Sequence, residues 1–326
     1  MKKLSAVDAS EAVDCPVCNS KAAYKMSMPI DAKTFKPTPH GKVFECSKCS
    51  FGFICPRPTP AETQHFYDLD SYYTQGKSHM VETGVPGFTS KVRTHLAWRA
   101  DKGETLLDVI NVSIQPSSTI LDIGCGAGTL LQKLSTLGYK TIGVERDTRS
   151  LSLDGKNITV LEGTAENLPA EILPRSCDGI VISHVLEHLT DPIAVMQNAA
   201  KLLKPSGLLF CEVPNNESLI SEQSGLSWEH LDIPRHINFF DEQSLKLVAQ
   251  NAGLKINRIY FGGYCRFFDD SYIATEQRIH DQLVKHGDLP VLSKRNSILR
   301  SWNLLAKTAF ATRNKKYDYI GIVCNL

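Results

Sequence analysis

The chain has 326 residues, of which 42% are hydrophobic and 22% charged, values close to the average of soluble globular proteins. This composition excludes a chain that is mainly disordered, collagenous or embedded in a membrane. Lys and Arg number 36 against 35 Asp and Glu, and the net charge of +1 gives no overall electrostatic reason to expect a nucleic acid or an anionic membrane as partner. The length fits one large domain with a small one appended.

The N-terminus and the cysteines predict a cytoplasmic protein. Lys2 and Lys3 open the chain, but no apolar run of signal-peptide length follows them. No stretch is long and apolar enough to span a bilayer. The ten cysteines are therefore expected to be thiols or metal ligands in a reducing compartment, and seldom disulfides.

Two C-x2-C pairs lie in the first 60 residues, Cys15 with Cys18 and Cys46 with Cys49. Four thiolates are typical of a closed tetrahedral zinc site, which is structural because no position stays open for water. In so short a segment, metal binding would supply much of the folding free energy. The alternative is a redox pair, which needs only one C-x2-C at a helix start. We therefore predict a zinc-ribbon-like module over residues 1–60 that binds structural Zn²⁺.

A proline cluster at 56–60 marks the end of this module, because proline resists both helices and sheet interiors. Residues 61–117 are predicted to be a connector with a helical cap. Its aromatic residues Tyr72 and Tyr73 are candidates for a lid over the site or for an aromatic core.

From residue 118 to 326, short apolar runs alternate with helical patterns. This alternation predicts a Rossmann-like α/β domain, with a seven-stranded, mostly parallel sheet and helices on both faces. The predicted strands are 119–124, 140–145, 158–162, 179–183, 207–213, 255–261 and 319–324. A helical insertion is predicted at 265–316. Its apolar stripe favours packing on the core, and the alternative is a basic amphipathic helix at a membrane surface, which would matter for a lipid-linked substrate.

The first strand leads into a G-x-G-x-G turn formed by Gly124, Cys125, Gly126, Ala127 and Gly128. Glycines allow a sharp turn and the close approach of a ligand. A dinucleotide fingerprint would need glycine or alanine at position 129, where this chain has threonine.

Two acids accompany the turn. Asp122 precedes it at the carboxyl end of the first strand, where a carboxylate suits the cationic or donor groups of an amino-acid moiety better than a pyrophosphate. Glu145 ends the second strand, where an acid can accept the two hydroxyls of a ribose. Turn and acids together predict a nucleoside ligand without phosphate at the turn, and the alternative is a purely structural turn.

Taken in order, residues 121–128, Glu145, 162–169, 185–192 and 202–208 resemble the sequential motifs of class I S-adenosylmethionine-dependent methyltransferases. The resemblance spans about residues 118–263. It implies that the last strand of the sheet is antiparallel and that the cofactor is S-adenosylmethionine, with the glycine turn at its methionine part and Glu145 at its ribose.

The same resemblance implies contacts for the rest of the cofactor. Many relatives have an aspartate where Thr164 stands, so the adenine contact is expected from the Ala165 backbone and the Thr164 hydroxyl. Ser183 and His184 follow the fourth strand at the carboxyl edge and are expected beside the sulfonium.

The order of a cysteine module, an aromatic segment and a cofactor domain resembles methyltransferases of surface polysaccharides and sugar-containing metabolites. The implied acceptor is a small molecule or glycan, most simply a sugar hydroxyl. Some relatives carry a further C-terminal domain for C-methylation, which this chain lacks up to Leu326. O-methylation is therefore the expected reaction.

Methyl transfer to a hydroxyl is an in-line displacement that can need a base but requires no metal. His236 is the first candidate, because an imidazole titrates near neutrality and a histidine at this place has that role in the sugar methyltransferases that the chain resembles. The preceding Arg235 replaces an acid of those relatives and would bind an anionic acceptor. The alternative for His236 is a structural histidine. His188, His230 and Asp232 are weaker candidates, and Trp228 is a candidate for stacking on a sugar or for packing.

Two other functions stay open. The first is an RNA base methyltransferase that grips RNA with its zinc module, but residues 1–60 have nine basic and five acidic residues. Their formal charge of +4 would fall to +2 with four thiolates and Zn²⁺, and so small a positive charge is a weak basis for binding the phosphates of RNA. The second is a non-catalytic protein that binds S-adenosylmethionine.

Overall fold

The computed structural model describes residues 12–66, 80–147, 153, 157–286 and 295–326. The expected lid residues Tyr72 and Tyr73 lie outside these ranges. None of the helices within them combines the length and apolarity needed to cross a bilayer.

The N-terminal part forms four short antiparallel strands: β1 (Val13–Asp14), β2 (Lys21–Ser27), β3 (Lys42–Cys46) and β4 (Gly52–Ile54). Its small core is largely aromatic, with Phe44, Phe51 and Phe53 buried and their rings stacked about 6 Å apart. The cysteine pairs stand at the ends of these strands. This arrangement fits the predicted zinc-ribbon-like module.

Further along the chain, helices and strands alternate as predicted. The elements are α1 (Pro60–His65), α2 (Phe88–Ala100), α3 (Leu106–Ser113), β5 (Thr119–Ile123), α4 (Thr129–Thr136), β6 (Lys140–Glu145), β7 (Ile158–Glu162), β8 (Cys177–Ser183), α5 (Pro192–Ala200), β9 (Leu203–Pro214), α6 (Leu219–Ser224), β10 (Asn238–Phe239), α7 (Glu242–Asn251), β11 (Lys255–Gly262), α8 (Asp270–Lys285), α9 (Ile298–Thr308), α10 (Arg313–Lys316) and β12 (Tyr319–Asn325).

The large sheet has the strand order β11-β12-β9-β8-β5-β6-β7. Only β12 runs antiparallel to its neighbours β9 and β11, and the pairs among β9, β8, β5, β6 and β7 are parallel. The central strands are continuous apolar runs because helices cover both faces of the sheet. The predicted Rossmann-like fold with an antiparallel last strand is confirmed.

β9 differs most from its predicted bounds, and β5, β8, β11 and β12 differ by one or two residues. β9 begins at Leu203, four residues before the predicted start, because Leu203 pairs with Cys177 and regular pairing resumes at Gly179 and Leu208. The intervening residues form an irregularity inside the strand. The Lys-Pro-Ser-Gly sequence of these residues is typical of a turn, and only the pairing with β8 shows that they belong to the strand.

The two sheets are connected through a short strand that was not among the seven predicted strands. β10 pairs antiparallel with β4, so that the small sheet has five strands in the order β1-β2-β3-β4-β10. Gly52 allows this close approach, since a Cβ there would lie 2.9 Å from the Cβ of Phe239. The segment after β9 therefore completes the sheet of the cysteine module.

The predicted insertion contains a 3-10 turn (Cys265–Phe268) followed by α8, α9 and α10. α9 buries Leu304 and Thr308, and the Thr308 hydroxyl lies 2.6 Å from that of Tyr264. This side of α9 packs on the core. Its other side leaves Ile298 and Leu299 exposed.

Candidate active site

The glycine turn joins β5 to α4 at the carboxyl edge of the large sheet. Gly124, Gly126 and Gly128 have φ values of +76°, +54° and +73°, a region that glycine adopts without strain. A Cβ at Gly126 would meet nothing within 4 Å, whereas one at Gly124 or Gly128 would collide with a side chain at 2.7 Å. The open space for a ligand therefore lies over Gly126.

Glu145 lies against this turn at the end of β6. Its Oε2 accepts a hydrogen bond of 2.8 Å from the Gly126 N–H, and its Oε1 accepts one of 2.9 Å from the Arg146 N–H. Oε1 also accepts a long hydrogen bond of 3.5 Å from the Asp147 N–H, whereas Oε2 has a second lone pair that a ribose hydroxyl can use. The turn and the predicted ribose acid are thus brought together.

Asp122, in β5, is 4% exposed and shares this corner with Glu145. Burial, together with the charge of Glu145, raises the pKa of Asp122 to about 7. Two close carboxylates in a buried place favour a cationic ligand, because its charge would stabilise both ionised forms. This is the electrostatics expected around the ammonium and sulfonium groups of an amino-acid moiety.

Thr164 and Ala165 follow β7 next to Glu145, because the Gly163 N–H donates to the Glu145 carbonyl at 3.0 Å. The Thr164 hydroxyl accepts a hydrogen bond of 3.0 Å from the Asn167 N–H and so holds a turn. The hydroxyl hydrogen stays available as a donor. Ala165 is buried.

Ser183 and His184 end β8. The Ser183 hydroxyl donates to Glu212 Oε2 at 3.0 Å, and the His184 N–H donates to the Glu212 carbonyl at 2.9 Å. His184 has a φ of +55°, a strained conformation for a side chain of this size, and such strain is frequent at functional sites. Sequence analysis missed Glu212. The feature of the sequence that could have indicated Glu212 is its position near the end of β9, the strand beside β8.

The residues after His184 form a cluster with His236. Glu187 is 1% exposed, and its Oε1 lies 3.4 Å from His184 Nδ1. The rings of His188 and His236 lie 4.6 Å apart at 71°. Glu187, His188 and His236 each offer one ligand atom within 4.8 Å of the others. The structure thus brings the candidate base next to His188 and to a glutamate that sequence analysis missed.

Hydrogen bonds fix the orientation of both rings. His236 Nδ1 lies 2.7 Å from the His230 carbonyl, and His188 Nδ1 lies 3.1 Å from the Arg235 carbonyl. Since a carbonyl only accepts, both Nδ1 atoms carry a proton, and a ring that is uncharged has its lone pair at Nε2. Burial and the charge of His188 lower the pKa of His236 to about 4, so His236 is uncharged at neutral pH.

Arg235 does not have the surroundings that its predicted acceptor contact needs. It is 1% exposed, and Nη1 and Nη2 donate to both carboxylate oxygens of Asp31 at 2.9 and 2.8 Å. Nε and Nη2 also donate to Asp232 at 3.0 and 2.8 Å. The guanidinium is therefore engaged in holding the loop at 232–236 onto the cysteine module, through Asp31.

The weaker candidates lie in the interior. Asp232 is 2% exposed and paired with Arg235, and Trp228 is also 2% exposed. His230 Nε2 lies 3.4 Å from the buried Asp318. For Trp228 this burial favours the packing alternative over stacking on a sugar.

The four cysteines of the two pairs converge on one point. Sγ atoms lie 3.6 Å apart for Cys15 and Cys49 and 3.5 Å apart for Cys18 and Cys46, and all four fall within 4.8 Å of one another. Tetrahedral ligands at ~2.3 Å from zinc would lie about 3.8 Å apart. All ten cysteines are free thiols.

The two cysteine pairs have the same local structure. The N–H of Asn19 donates to the Cys15 carbonyl and that of Ser50 to the Cys46 carbonyl, both at 2.9 Å. Asn19 and Ser50, each four residues after the first cysteine of its pair, have φ values of +56° and +60°. The repeated turn presents both thiols of each pair on the same side.

Known proteins share the large domain. Residues 95–259 match a family model described as a methyltransferase domain. Among curated relatives, the ubiquinone biosynthesis O-methyltransferase of Vibrio cholerae serotype O1 is 32% identical over 103 residues, which are 29% of this chain and 42% of that protein. The enzyme of the same name from Xanthomonas euvesicatoria pv. vesicatoria is 28% identical over 184 residues, 50% of this chain and 77% of that protein.

A solved SAM-dependent methyltransferase from Archaeoglobus fulgidus superposes with a TM-score of 0.44 at 18% identity, over 74% of this chain and 95% of that one. The chain spans less than half of the length of the Vibrio relative. The family model, however, covers just over half of the chain. The chain therefore belongs to the methyltransferase domain family, whose model matches residues 95–259.

Proposed function

We propose that this protein transfers a methyl group from S-adenosylmethionine to a hydroxyl group of a small-molecule or glycan acceptor. The observation that carries this proposal is the corner formed by Gly126, Glu145 and Asp122. It combines open space over a left-handed glycine, an acid bonded to the same turn and a buried carboxylate pair that favours a cation.

In this proposal each part of the corner has one task. Glu145 holds the ribose, and Asp122 and the turn from Gly124 to Gly128 face the methionine part. The Ala165 backbone and the Thr164 hydroxyl contact the adenine, while Ser183 and His184 border the sulfonium. Bound S-adenosylmethionine supplies an electrophilic methyl group on a positively charged sulfur.

The acceptor hydroxyl loses a proton as it gains the methyl group. His236 is the proposed proton acceptor, because its Nε2 lone pair belongs to an uncharged ring at neutral pH. Its pKa near 4 makes it a weak base on its own, so the acceptor must be aligned for displacement to be effective. The ion pairs of Arg235 with Asp31 and Asp232 hold the loop that carries His236.

The acceptor class rests on two kinds of support. The curated relatives are named as O-methyltransferases of ubiquinone biosynthesis, which favours hydroxyl methylation of a small molecule. The cysteine module before the domain favours a sugar or glycan, by the resemblance described above. We place the reaction in the cytoplasm, because ten free thiols are typical of a reducing compartment.

The cysteine cluster is proposed to hold structural Zn²⁺. Two identical turns present four thiols at distances close to those of a tetrahedral site, and a closed set of four cysteines leaves no position for catalysis. When bound, zinc would fix the turn between β1 and β2 and the turn between β3 and β4, and so support the sheet that β10 completes. The zinc site is thus expected to hold the five-stranded sheet in a fixed position beside the acceptor.

The test is a transfer assay with methyl-labelled cofactor and extracts fractionated into nucleotide sugars, lipid-linked glycans, quinone precursors and RNA. Label is expected in a sugar or quinone-precursor fraction. His236→Ala should abolish transfer and keep cofactor binding, while His286→Ala, an exposed histidine away from the site, should leave both unchanged. Label found only in RNA, or in no fraction, would contradict the proposal.

A further inference from the structure

We propose that Glu187, His188 and His236 form a second metal site, which binds a divalent transition-metal ion beside the acceptor. This inference rests on the proposed methyl transfer and deepens it, and it replaces the role of His236 as proton acceptor by that of a metal ligand. It gives the methyltransferase a metal that acts on the acceptor hydroxyl, separate from the cysteine cluster.

The first support is the ligand set. One carboxylate oxygen and one nitrogen from each of two imidazoles lie within 4.8 Å of one another. Two histidines and one carboxylate form three corners of a site and leave further positions open for water or substrate. A mixed set of imidazole and carboxylate suits Mn²⁺, Fe²⁺ or Zn²⁺ better than Mg²⁺ or Ca²⁺, which prefer oxygen alone.

The second support is the orientation of the rings. Both Nδ1 atoms donate to backbone carbonyls, those of Arg235 and His230, which leaves Nε2 as the nitrogen of each uncharged ring that can bind a metal. Metal-binding histidines are typically fixed in this way, with the far nitrogen donating to a carbonyl or carboxylate. The two rings are thus fixed in the tautomer that binds a metal.

The third support is Glu187 itself. It is 1% exposed, and neither of its oxygens accepts a hydrogen bond within the part of the chain that the structure describes. A carboxylate buried without donors is costly. His184 Nδ1, 3.4 Å from Oε1, is close enough for an ion pair, and a carboxylate oxygen lies within 4.8 Å of both histidine ligand nitrogens. A cation at this point would offset the burial of the charge.

The backbone holds the two halves of the site together. The Ile237 N–H donates to the Glu187 carbonyl at 2.8 Å. The Asn238 amide donates to the carbonyls of Leu186 and Leu189 at 2.8 and 2.7 Å. The turn that carries Glu187 and His188 is therefore tied to the strand next to His236, which gives the ligand set a rigid frame.

The site lies directly after Ser183 and His184, at the edge where the sulfonium is proposed to lie. An ion held there would bind the acceptor hydroxyl through an open position and lower its pKa. The oxygen lone pair then forms the new O–C bond while the C–S bond breaks, and its electrons stay on the sulfur of the neutral thioether product. The proton passes to His184 or to water. In this scheme His236 serves as a ligand, and its lone pair is not the proton acceptor.

The probe for this site is Mn²⁺, because Mn²⁺ prefers oxygen and imidazole ligands and competes poorly for thiolates. Zinc-loaded full-length protein is titrated with Mn²⁺, and free Mn²⁺ is measured by electron paramagnetic resonance. The wild type should bind one Mn²⁺ per chain. Glu187→Gln and His188→Gln should each weaken binding at least tenfold, and Glu171→Gln, at an exposed glutamate outside the cluster, should not.

Circular dichroism and a cofactor titration on the same samples separate the possible failures. If one of the two variants is unfolded, the other, with intact cofactor binding, carries the test. Wild-type protein that binds the cofactor but no Mn²⁺, or variants that bind Mn²⁺ as tightly as the wild type, would overturn the metal site and leave the methyltransferase proposal standing. Loss of cofactor binding in the wild type would instead remove the proposed function.

Discussion

Replacing Asp122 by asparagine tests the electrostatics of the proposed cofactor corner. Burial and Glu145 raise the pKa of Asp122 from 3.8 to about 7. Between these values the folded protein holds a proton that the unfolded chain has lost, so the free energy of unfolding falls as pH rises. Each pKa unit corresponds to about 1.36 kcal/mol, which gives about 4 kcal/mol over the full range. Above pH 7 the loss is complete.

The asparagine variant carries no titrating group at this position and should escape this loss. The advantage of Asp122→Asn over the wild type should therefore be about 3 kcal/mol larger at pH 8 than at pH 5, since about two units of the shift lie between pH 5 and the folded pKa. Urea unfolding at the two pH values measures it. The Asp122→Asn variant should bind the cofactor more weakly than the wild type, because asparagine lacks the negative charge that favours the cationic methionine part.

Asp178 provides the control, since its side chain is partly buried and lies at the start of β8, at the opposite edge of the sheet from the glycine turn. Burial alone would raise the pKa of Asp178, but the hydrogen bonds from Lys204 and from the Thr119 N–H lower this pKa. The ionised Asp178 side chain therefore adds to the free energy of unfolding at every pH above the pKa that Asp178 has in the unfolded chain, and this stabilisation is lost only in acid. Asp178→Asn should then destabilise the protein at both pH 5 and pH 8. An Asp122→Asn advantage that is equal at the two pH values would refute the assigned electrostatics.

Three further predictions concern the turn, the cysteine cluster and Arg235. Gly126→Ala and Gly253→Ala, both at positive φ with open space around the Cβ, should each lose about 1–2 kcal/mol in urea unfolding, but only Gly126→Ala should weaken cofactor binding in calorimetry. Cys49→Ser should lose the zinc detected by mass spectrometry and lower the melting temperature, while Cys55→Ser keeps the metal. Arg235→Met removes the guanidinium from the partly buried Asp31 and the buried Asp232 and should cost about 3–5 kcal/mol of unfolding free energy; a loss below that of the exposed Arg175→Met would contradict its role.

The large sheet could be predicted because its information is local. Apolar runs such as that of β8, glycines that need positive φ and an acid at a strand end all lie within a few residues of each other. The corner of Gly126, Glu145 and Asp122 was therefore accessible from the sequence, and the antiparallel last strand followed from the family resemblance.

What escaped prediction depends on distant partners. β10 is only two residues long and exists because β4, far earlier in the chain, offers it an edge. The sequence alone indicates that Arg235 binds an anionic ligand, whereas in the fold Arg235 forms an ion pair with Asp31. Glu187 stands in a common motif of the family, and only the fold reveals that His236 approaches it across the sheet edge. In each case the missing information was a contact between residues far apart in sequence.

The central claim is that the corner over Gly126 binds S-adenosylmethionine. Isothermal titration calorimetry of the wild-type protein with this compound tests it directly, with Glu145→Ala measured alongside. One cofactor per chain is expected for the wild type, with affinity lost in Glu145→Ala. Absence of saturable binding in folded wild-type protein, or equal affinity in the variant, would contradict the account.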